Sequence, residues 1–264
     1  MSAVAFEADH PGARVEPSLG YRRGKYQRRT RSPAAVIIHT TGFGPVRRFR
    51  DDRQRRRHRW ATPHDAALAI YRGMMEAGPH YVVGQGGELA QLAPEGVCAW
   101  HVGGRGGRHY RRELERWLTV ECTWWASRWP GLRSPRELAG GRLWLPYDPA
   151  PSLLERVSRA RWIGWREGGS VNANTIGIEV VPAEDHPRGP WSDEAWRTLL
   201  QLVGLICGRH GIPQDAHHVL THSDAHPRAR SRRGRPWDTW REQWTWEQHA
   251  ERAGLPVWCP PPGS

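Results

Sequence analysis

Apolar residues in this chain are concentrated in short runs, which predict buried strands. The runs AAVIIHTT (34–41), NANTIGIEVVP (172–182) and HHVLTHSD (217–224) are compact, and each contains β-branched residues. HYVVGQGGELAQLAP (80–94) carries two such runs on either side of Gly-Gly, which is the pattern of a β-hairpin.

Two longer segments have helical periodicity instead. In TPHDAALAIYRGMMEAG (62–78), Ala66, Ile70 and Met74 recur every four residues. SDEAWRTLLQLVGLICGRHG (192–211) begins with a capping serine and ends with a glycine where a C-terminal cap belongs. Strands that alternate with helices predict an α/β domain, in which a mixed central β-sheet is flanked by helices.

The same pattern suggests where the domain begins and ends. We expect a basic, extended N-terminal arm over 1–33, a main domain over 34–245 and a C-terminal tail over 246–264. Residues 105–170 are rich first in Gly and Arg and then in Trp, and we interpret them as an insertion within the domain. The arginine-rich run 47–60 is typical of a solvated loop or helix face.

The charge and tryptophan content favour polyanionic or sugar-containing binding partners but do not identify one of them. The 264 residues carry a formal net charge of +12, and Lys25 is the only lysine, so nearly all the positive charge is arginine. A basic surface attracts polyanions such as nucleic acid, anionic lipid or an anionic cell wall. The 16 tryptophans suit either an aromatic core or a surface that stacks on sugars.

The four cysteines and the N-terminus exclude several arrangements. The cysteines are widely spaced and contain no CxxC pair, so neither a zinc ribbon nor a dense disulfide framework is predicted. The first residues lack a basic segment followed by an apolar one, so we expect no signal peptide, and no run is long enough for a membrane helix. A monomer made in the cytoplasm is expected.

Three strands carry side chains that core packing does not explain. VIIHTT and HVLTHSD each run apolar residues into a histidine near the strand end, His39 and His222, and strand ends are where α/β folds build their sites. In TIGIEVV, Glu179 alternates with apolar residues, and a carboxylate there is costly unless it is paired or solvated. Each histidine taken alone could be a structural core residue, and Glu179 could pair with an arginine. The alternative is a pair of metal ligands beside a general base.

Read in order, these pieces resemble a known enzyme family. The series IIH, HY-V, GG, AWH-G, N--TIGIE, THSD and WD is similar to the zinc-dependent N-acetylmuramoyl-L-alanine amidases. They form the type-2 amidase superfamily, which includes phage lysozyme-like amidases and peptidoglycan recognition proteins. The resemblance covers about residues 34–104 and 172–240.

The resemblance implies a fold, a metal and a reaction. The fold would be a mixed central sheet with a zinc ion above it, and the reaction would be hydrolysis of the amide between N-acetylmuramic acid and L-alanine in peptidoglycan. His39 and His222 match two zinc ligands, and Glu179 matches an acid that assists the attacking water. His101 matches a histidine that lines the substrate groove, with Trp100 packed beneath it, and Thr40 would lie on the rim of the site.

The third zinc ligand departs from the usual family pattern. Many members place an aspartate or cysteine about ten residues after the second histidine, where this chain has Arg232, which stays protonated and cannot ligate a metal. Asp238, sixteen residues after His222, is the substitute that we favour. Asp224 and His226 remain alternatives.

The oxyanion-stabilising group departs as well. Many members carry a lysine two residues before the third ligand, and the corresponding residue here is Pro236. Arg235 is our candidate for this catalytic role, because a guanidinium can stabilise an oxyanion, and Arg233 is an alternative. Both could equally be solvated loop charges.

Three classes of function remain open at this point. A zinc amidase that degrades peptidoglycan is the first, with action on the cell wall after holin-dependent release or export, or on soluble muropeptides in the cytoplasm. A non-catalytic peptidoglycan-binding module of the same fold is the second. A nucleic-acid-binding protein is the third, but it leaves the histidines and Glu179 unexplained, and no nucleic-acid motif is present.

Overall fold

The computed structural model describes residues 6–41, 62–73, 78–102, 171–183, 189–215, 218–222, 231–232, 235–236 and 243–256. The run 47–60, the expected insertion at 105–170, the last turn of the helix expected over 62–78, and Asp224, His226, Arg233 and Asp238 lie outside these ranges.

The described strands form one six-stranded mixed sheet and two small ribbons. In chain order the strands are β1 (Arg14–Val15), β2 (Gln27–Arg28), β3 (Ala35–Thr40), β4 (Tyr81–Val83), β5 (Leu89–Gln91), β6 (Val97–Cys98), β7 (Thr175–Val180), β8 (Val219–Thr221), β9 (Ser231–Arg232) and β10 (Arg235–Pro236). The helices are α1 (Leu19–Arg22), α2 (Pro63–Gly73), α3 (Val171–Asn174), α4 (Asp193–His210) and α5 (Trp246–Ala253). The order in the sheet is β1-β5-β4-β7-β3-β8.

Strands β3, β7 and β8 are parallel neighbours at the centre and one side of this sheet. β3 pairs with β7 on one side and with β8 on the other, and β4 adds in parallel to the far side of β7. Only β4 and β5 pair antiparallel within the sheet, as the hairpin predicted around Gly-Gly, where Gly87 has a φ of 82°. The expected α/β class with a mixed sheet is confirmed.

The two faces of the sheet are covered differently. On one face, α4 and α5 cover a core that includes Ile38, Ile176 and Ile178, all of which are fully buried. On the other face, α2 packs on a smaller cluster that includes Val82 and Val181. The alternation in TIGIEVV explains this division, because successive side chains of a strand point to opposite faces.

The capping signals of α4 hold as predicted. The Ser192 hydroxyl accepts a hydrogen bond from the backbone N–H of Ala195, and Gly211 ends the helix in the left-handed conformation at a φ of 65°. The apolar stripe of the helix, which includes Leu199, Leu202 and Ile206, is fully buried against the sheet.

The N-terminal segment departs from the expected extended arm. β1 pairs in parallel with β5 and forms one edge of the sheet, and β2 pairs antiparallel with β6. Tyr26 is buried beside Ala93 and Ala99. The expectation missed this docking because two-residue strands leave too little alternation for a sequence pattern to register.

The C-terminal segment also begins as an ordered element where a tail was expected. α5 starts with a capping box between Thr245 and Gln248 and ends at Gly254, which has a φ of 68°. Trp246 and Ala250 are buried in the main core against α4. Tryptophans in this segment therefore contribute to the core, one of the two roles that composition allowed.

Arg29 joins the N-terminal segment to the loop before β6, to helix α3 and to the start of β7. Its guanidinium donates to the backbone carbonyls of Glu95, Ala173 and Thr175 at 2.6, 2.5 and 2.5 Å. Burial lowers the pKa of Arg29 to about 10, so the group remains charged at neutral pH. Those carbonyls would lose their donor without it.

Cys98 and Cys207 are both buried free thiols. Within the described ranges, no helix combines the length and the apolar character needed to cross a membrane.

We predict that Arg29→Met destabilises the fold by about 2–3 kcal/mol, because charge-assisted hydrogen bonds are lost and buried carbonyls are left unsatisfied. Arg28→Met is the matched control, since Arg28 is exposed in the adjacent position. Chemical denaturation of both variants measures the difference. Equal midpoints for the two variants would contradict the structural role of Arg29.

Candidate active site

The candidate site lies at the carboxyl ends of three parallel strands. His39 is the fifth residue of β3 and pairs in register with Glu179 of β7, so both side chains project from the same face. Thr221 of β8 pairs with Ile38, which places the next residue of each strand, His222 and His39, side by side. The sheet therefore brings together the three residues that the sequence singled out.

His39 and His222 point ring nitrogens at each other. Their Nδ1 atoms are 2.9 Å apart, their ring centroids are 4.5 Å apart, and each residue is only 1% exposed. At that distance one Nδ1 carries a hydrogen and the other accepts it. Two buried imidazoles have thus converged on one point.

This donor pair fits part of a zinc site. Zinc binds imidazole nitrogen at about 2.0–2.1 Å in tetrahedral geometry, which separates two ligand nitrogens by about 3.3 Å. A small outward movement of the two rings reaches that separation. Among the described residues, however, no group of three His, Cys, Asp or Glu side chains is arranged to hold a metal. The described part contains two candidate ligands, and Asp238, the predicted third, lies outside it.

Glu179 is placed next to the histidine pair by backbone register alone. It lies between His39 of β3 and Val82 of β4 in the sheet, and it is half-buried, in contrast to its fully buried neighbours Ile178 and Val180. Although the residue is half-buried, its Oε2 atom is shielded from solvent, so the carboxylate lies partly enclosed beside the histidines, where a general base would be placed.

His101 departs from the expected position on a groove wall. It is only 8% exposed, and both of its ring nitrogens face protein groups. Nδ1 lies 3.0 Å from Nε2 of His39, and Nε2 lies 3.1 Å from the Thr175 hydroxyl. Burial, together with the nearby His39, lowers the pKa of His101 well below its ordinary value, so the ring is neutral. It contacts a candidate ligand from behind.

Gly177 makes room for the His101 ring. A Cβ built on Gly177 would lie 2.3 Å from Cγ of His101, closer than any real contact allows. Strand alternation places Gly177 on the same face as Glu179, but no role for it was predicted from the sequence. The signal was present, since a glycine inside a buried strand often marks the close approach of another group.

Asn172 and Thr175 are further residues to which the sequence reasoning gave no role, although both belong to the motif N--TIGIE. The Asn172 side chain accepts from the backbone N–H of His101 and of Val102, and it donates to the carbonyl of Val102. Asn172 therefore holds the backbone of His101 and Val102, while the Thr175 hydroxyl contacts the His101 ring.

Trp100 and Thr40 have contrasting surroundings. Trp100 is 48% exposed and is one of two large hydrophobic side chains that are exposed among the described residues. Thr40 is buried, and its hydroxyl donates to Oε1 of Gln243 at 2.9 Å. Gln243 is itself fully buried and gave no signal in the sequence.

Arg235 begins β10, a two-residue strand that pairs antiparallel with β9. Its backbone belongs to this small ribbon, and its role remains a prediction.

The family of the chain follows from its sequence match. The family model described as N-acetylmuramoyl-L-alanine amidase matches residues 29–238, which is well over half of the chain. The protein therefore belongs to the N-acetylmuramoyl-L-alanine amidase family and is a hydrolase of that class. The matched range includes all of the candidate site residues.

Solved structures of amidases are distantly similar. A selenomethionine derivative of AmpD has 16% identity and a TM-score of 0.39, covering 81% of this chain and 83% of its own. The amidase LysC from Clostridium intestinale URNW has 11% identity and a TM-score of 0.36, with coverage of 86% and 88%. The Ph2119 endolysin of a Thermus scotoductus MAT2119 bacteriophage has 14% identity and a TM-score of 0.39, with coverage of 91% and 99%. No curated protein sequence matches significantly.

We predict that Gly177→Ala displaces the His101 ring and destabilises the fold by about 1–3 kcal/mol, the usual cost of overpacking. Gly208→Ala is the control, because the same methyl group enters open space on helix α4. Thermal or chemical unfolding compares the two. A Gly177→Ala variant as stable as Gly208→Ala, with unchanged histidine NMR shifts, would show that the ring does not rest on Gly177.

Proposed function

We propose that this protein is a zinc-dependent amidase that hydrolyses the bond between N-acetylmuramic acid and L-alanine in peptidoglycan. The observation that carries the proposal is the convergence of the Nδ1 atoms of His39 and His222, 2.9 Å apart, in a buried site. Family membership supports the class of reaction.

His39 and His222 would hold the metal through Nδ1, and Asp238 would complete the set of three protein ligands. Three protein ligands with one open position are typical of catalytic zinc. Zinc, when bound, supplies a Lewis acid and lowers the pKa of water toward neutrality. Neutral imidazoles are required for ligation.

Glu179 would act as the general base and then as the general acid. Its carboxylate takes a proton from the water that attacks the lactyl carbonyl carbon, and it returns that proton to the alanine nitrogen as the C–N bond breaks. The register of Glu179 with His39 supports this role, because it puts the carboxylate beside the ligand pair. Arg235 is our candidate to stabilise the oxyanion.

Substrate contacts would come from the surface around the ligands. The exposed ring of Trp100 suits stacking on a sugar, whereas Thr40, which ends the strand that carries His39, is buried with its hydroxyl bonded to Gln243. Action on the cell wall after holin-dependent release or export is our proposal for the setting, with cytoplasmic muropeptide recycling as the alternative. We expect the protein to act as a monomer.

We predict that His39→Ala and His222→Ala each lower the zinc content from about one ion per chain to near zero and abolish cleavage of purified peptidoglycan. His10→Ala, which removes a histidine from the N-terminal segment, is the control and should keep both. Elemental analysis and mass spectrometry of the digest measure metal and product, with a chelator as a parallel arm. Peptidoglycan binding without zinc or cleavage in the unaltered protein would instead identify a non-catalytic binding module.

Glu179→Gln should keep the metal and slow hydrolysis by about 10²–10⁴-fold, because the amide keeps the shape of the side chain but cannot accept the proton. Asp238→Ala tests the third ligand in the same assay and should lose zinc. Full zinc occupancy in Asp238→Ala would move the assignment to Asp224 or His226. Unchanged turnover in Glu179→Gln would remove Glu179 from the reaction.

A further inference from the structure

We propose that His101 is a positioning residue that fixes the tautomer of His39, so that the bare Nδ1 of His39 faces His222 and is ready to bind a metal. The metal part of this inference rests on the proposed function. The tautomer itself is a property of the protein alone.

A line of polar contacts runs from His39 into the interior. Nε2 of His39 lies 3.0 Å from Nδ1 of His101, and Nε2 of His101 lies 3.1 Å from the Thr175 hydroxyl. That hydroxyl donates to the backbone carbonyl of Val171 at 2.8 Å. The carbonyl of Thr175 lies 3.4 Å from the same Nε2 of His101.

The interior end of this line sets its direction. A carbonyl oxygen can only accept, so the single hydroxyl proton of Thr175 is directed to Val171. The hydroxyl oxygen then accepts from His101, and Nε2 of His101 must carry a hydrogen. A neutral His101 has only one ring hydrogen, so its Nδ1 is an acceptor and Nε2 of His39 donates to it. A neutral His39 is therefore left with a bare Nδ1.

The opposite donor–acceptor order would leave unfavourable contacts around the Thr175 hydroxyl. If His39 carried its hydrogen on Nδ1, the hydrogen between the two rings would have to sit on Nδ1 of His101. Nε2 of His101 would then be bare and would need the Thr175 proton. The Thr175 oxygen would face the carbonyl of Val171 at 2.8 Å with no hydrogen between them. The bare Nε2 would also face the Thr175 carbonyl.

The residues around His101 hold its ring in the position that these hydrogen bonds require. Asn172 holds the backbone of residues 101 and 102 through three hydrogen bonds. The ring rests on the bare backbone of Gly177. The guanidinium of Arg29 donates to the Thr175 carbonyl at 2.5 Å and fixes the strand start that carries the Thr175 hydroxyl.

The consequence is a preorganised ligand. A metal-binding histidine whose other nitrogen donates a hydrogen bond has a fixed ring orientation and tautomer and a more basic ligating nitrogen. Here the acceptor is a second histidine, His101. The position of its own ring hydrogen is determined by the Thr175 hydroxyl and the Val171 carbonyl. A groove-lining role for His101 would not require this arrangement.

Two substitutions separate this role from packing alone. In His101→Asn the side-chain oxygen stands where Nδ1 stood, so an acceptor for His39 is retained. In His101→Leu a methyl group of similar size takes that place, and the acceptor is lost. Nitrogen-15 NMR of the histidine rings in zinc-free protein reports the tautomers, and competition with a chromogenic chelator reports the zinc Kd.

We expect the unaltered protein to show His39 and His101 both with hydrogen on Nε2. His101→Leu should show a mixed His39 tautomer and a zinc Kd about 10–100-fold weaker, the usual effect of losing such a partner, and His101→Asn should restore most of both. Hydrogen on Nδ1 of His39 in the unaltered protein would overturn the inference without any variant. Equal zinc Kd values for the Leu variant and the unaltered protein would overturn it as well.

The same measurements keep the two proposals apart. A protein that shows the expected tautomers but neither holds zinc nor cleaves peptidoglycan would contradict the proposed function and leave the tautomer assignment standing. A zinc-dependent amidase in which His39 carries its hydrogen on Nδ1 would support the proposed function and contradict the tautomer assignment.

Discussion

The parallel pairing of β3 with β7 and β8 is the constraint on which the site depends. It aligns His39 with Glu179 and brings His222 alongside, so three side chains distant in sequence meet at one end of the sheet. A shift of one residue in either pairing would turn a functional side chain to the opposite face. The apolar core under α4 opposes such a shift, because Ile38, Ile176 and Ile178 would have to leave it.

Behind the site, a chain of hydrogen bonds links the buried polar groups to one another. Arg29 binds the carbonyls around β7, Thr175 and Asn172 hold His101, and His101 contacts His39. Each group in this series would be costly to bury without its partner. The N-terminal segment thus reaches the candidate ligands through side chains and backbone carbonyls, although it lies far from them in sequence.

Much of the fold followed from local patterns, and the exceptions have a common cause. The three strand runs, the hairpin and the caps of α4 were predictable because period, turn glycines and capping serines are local signals. The docking of β1, β2 and α5 was not, because short segments owe their order to the partner on which they pack. The site divided in the same way. His39, His222 and Glu179 stood out in the sequence, whereas the burial of His101 and the contact of Thr40 with Gln243 did not.

The sequence by itself therefore determined which side chains are candidates for the site and which strands present them, since strand periodicity assigns each residue to a face. The tertiary structure alone decided how they are supported. In the folded protein His101 is buried against Gly177. The series of hydrogen bonds that begins at His39 ends at the backbone carbonyl oxygens of Val171 and Thr175. The physical reason is that hydrogen-bond direction depends on which groups meet in the interior, and no local pattern of residues encodes that meeting.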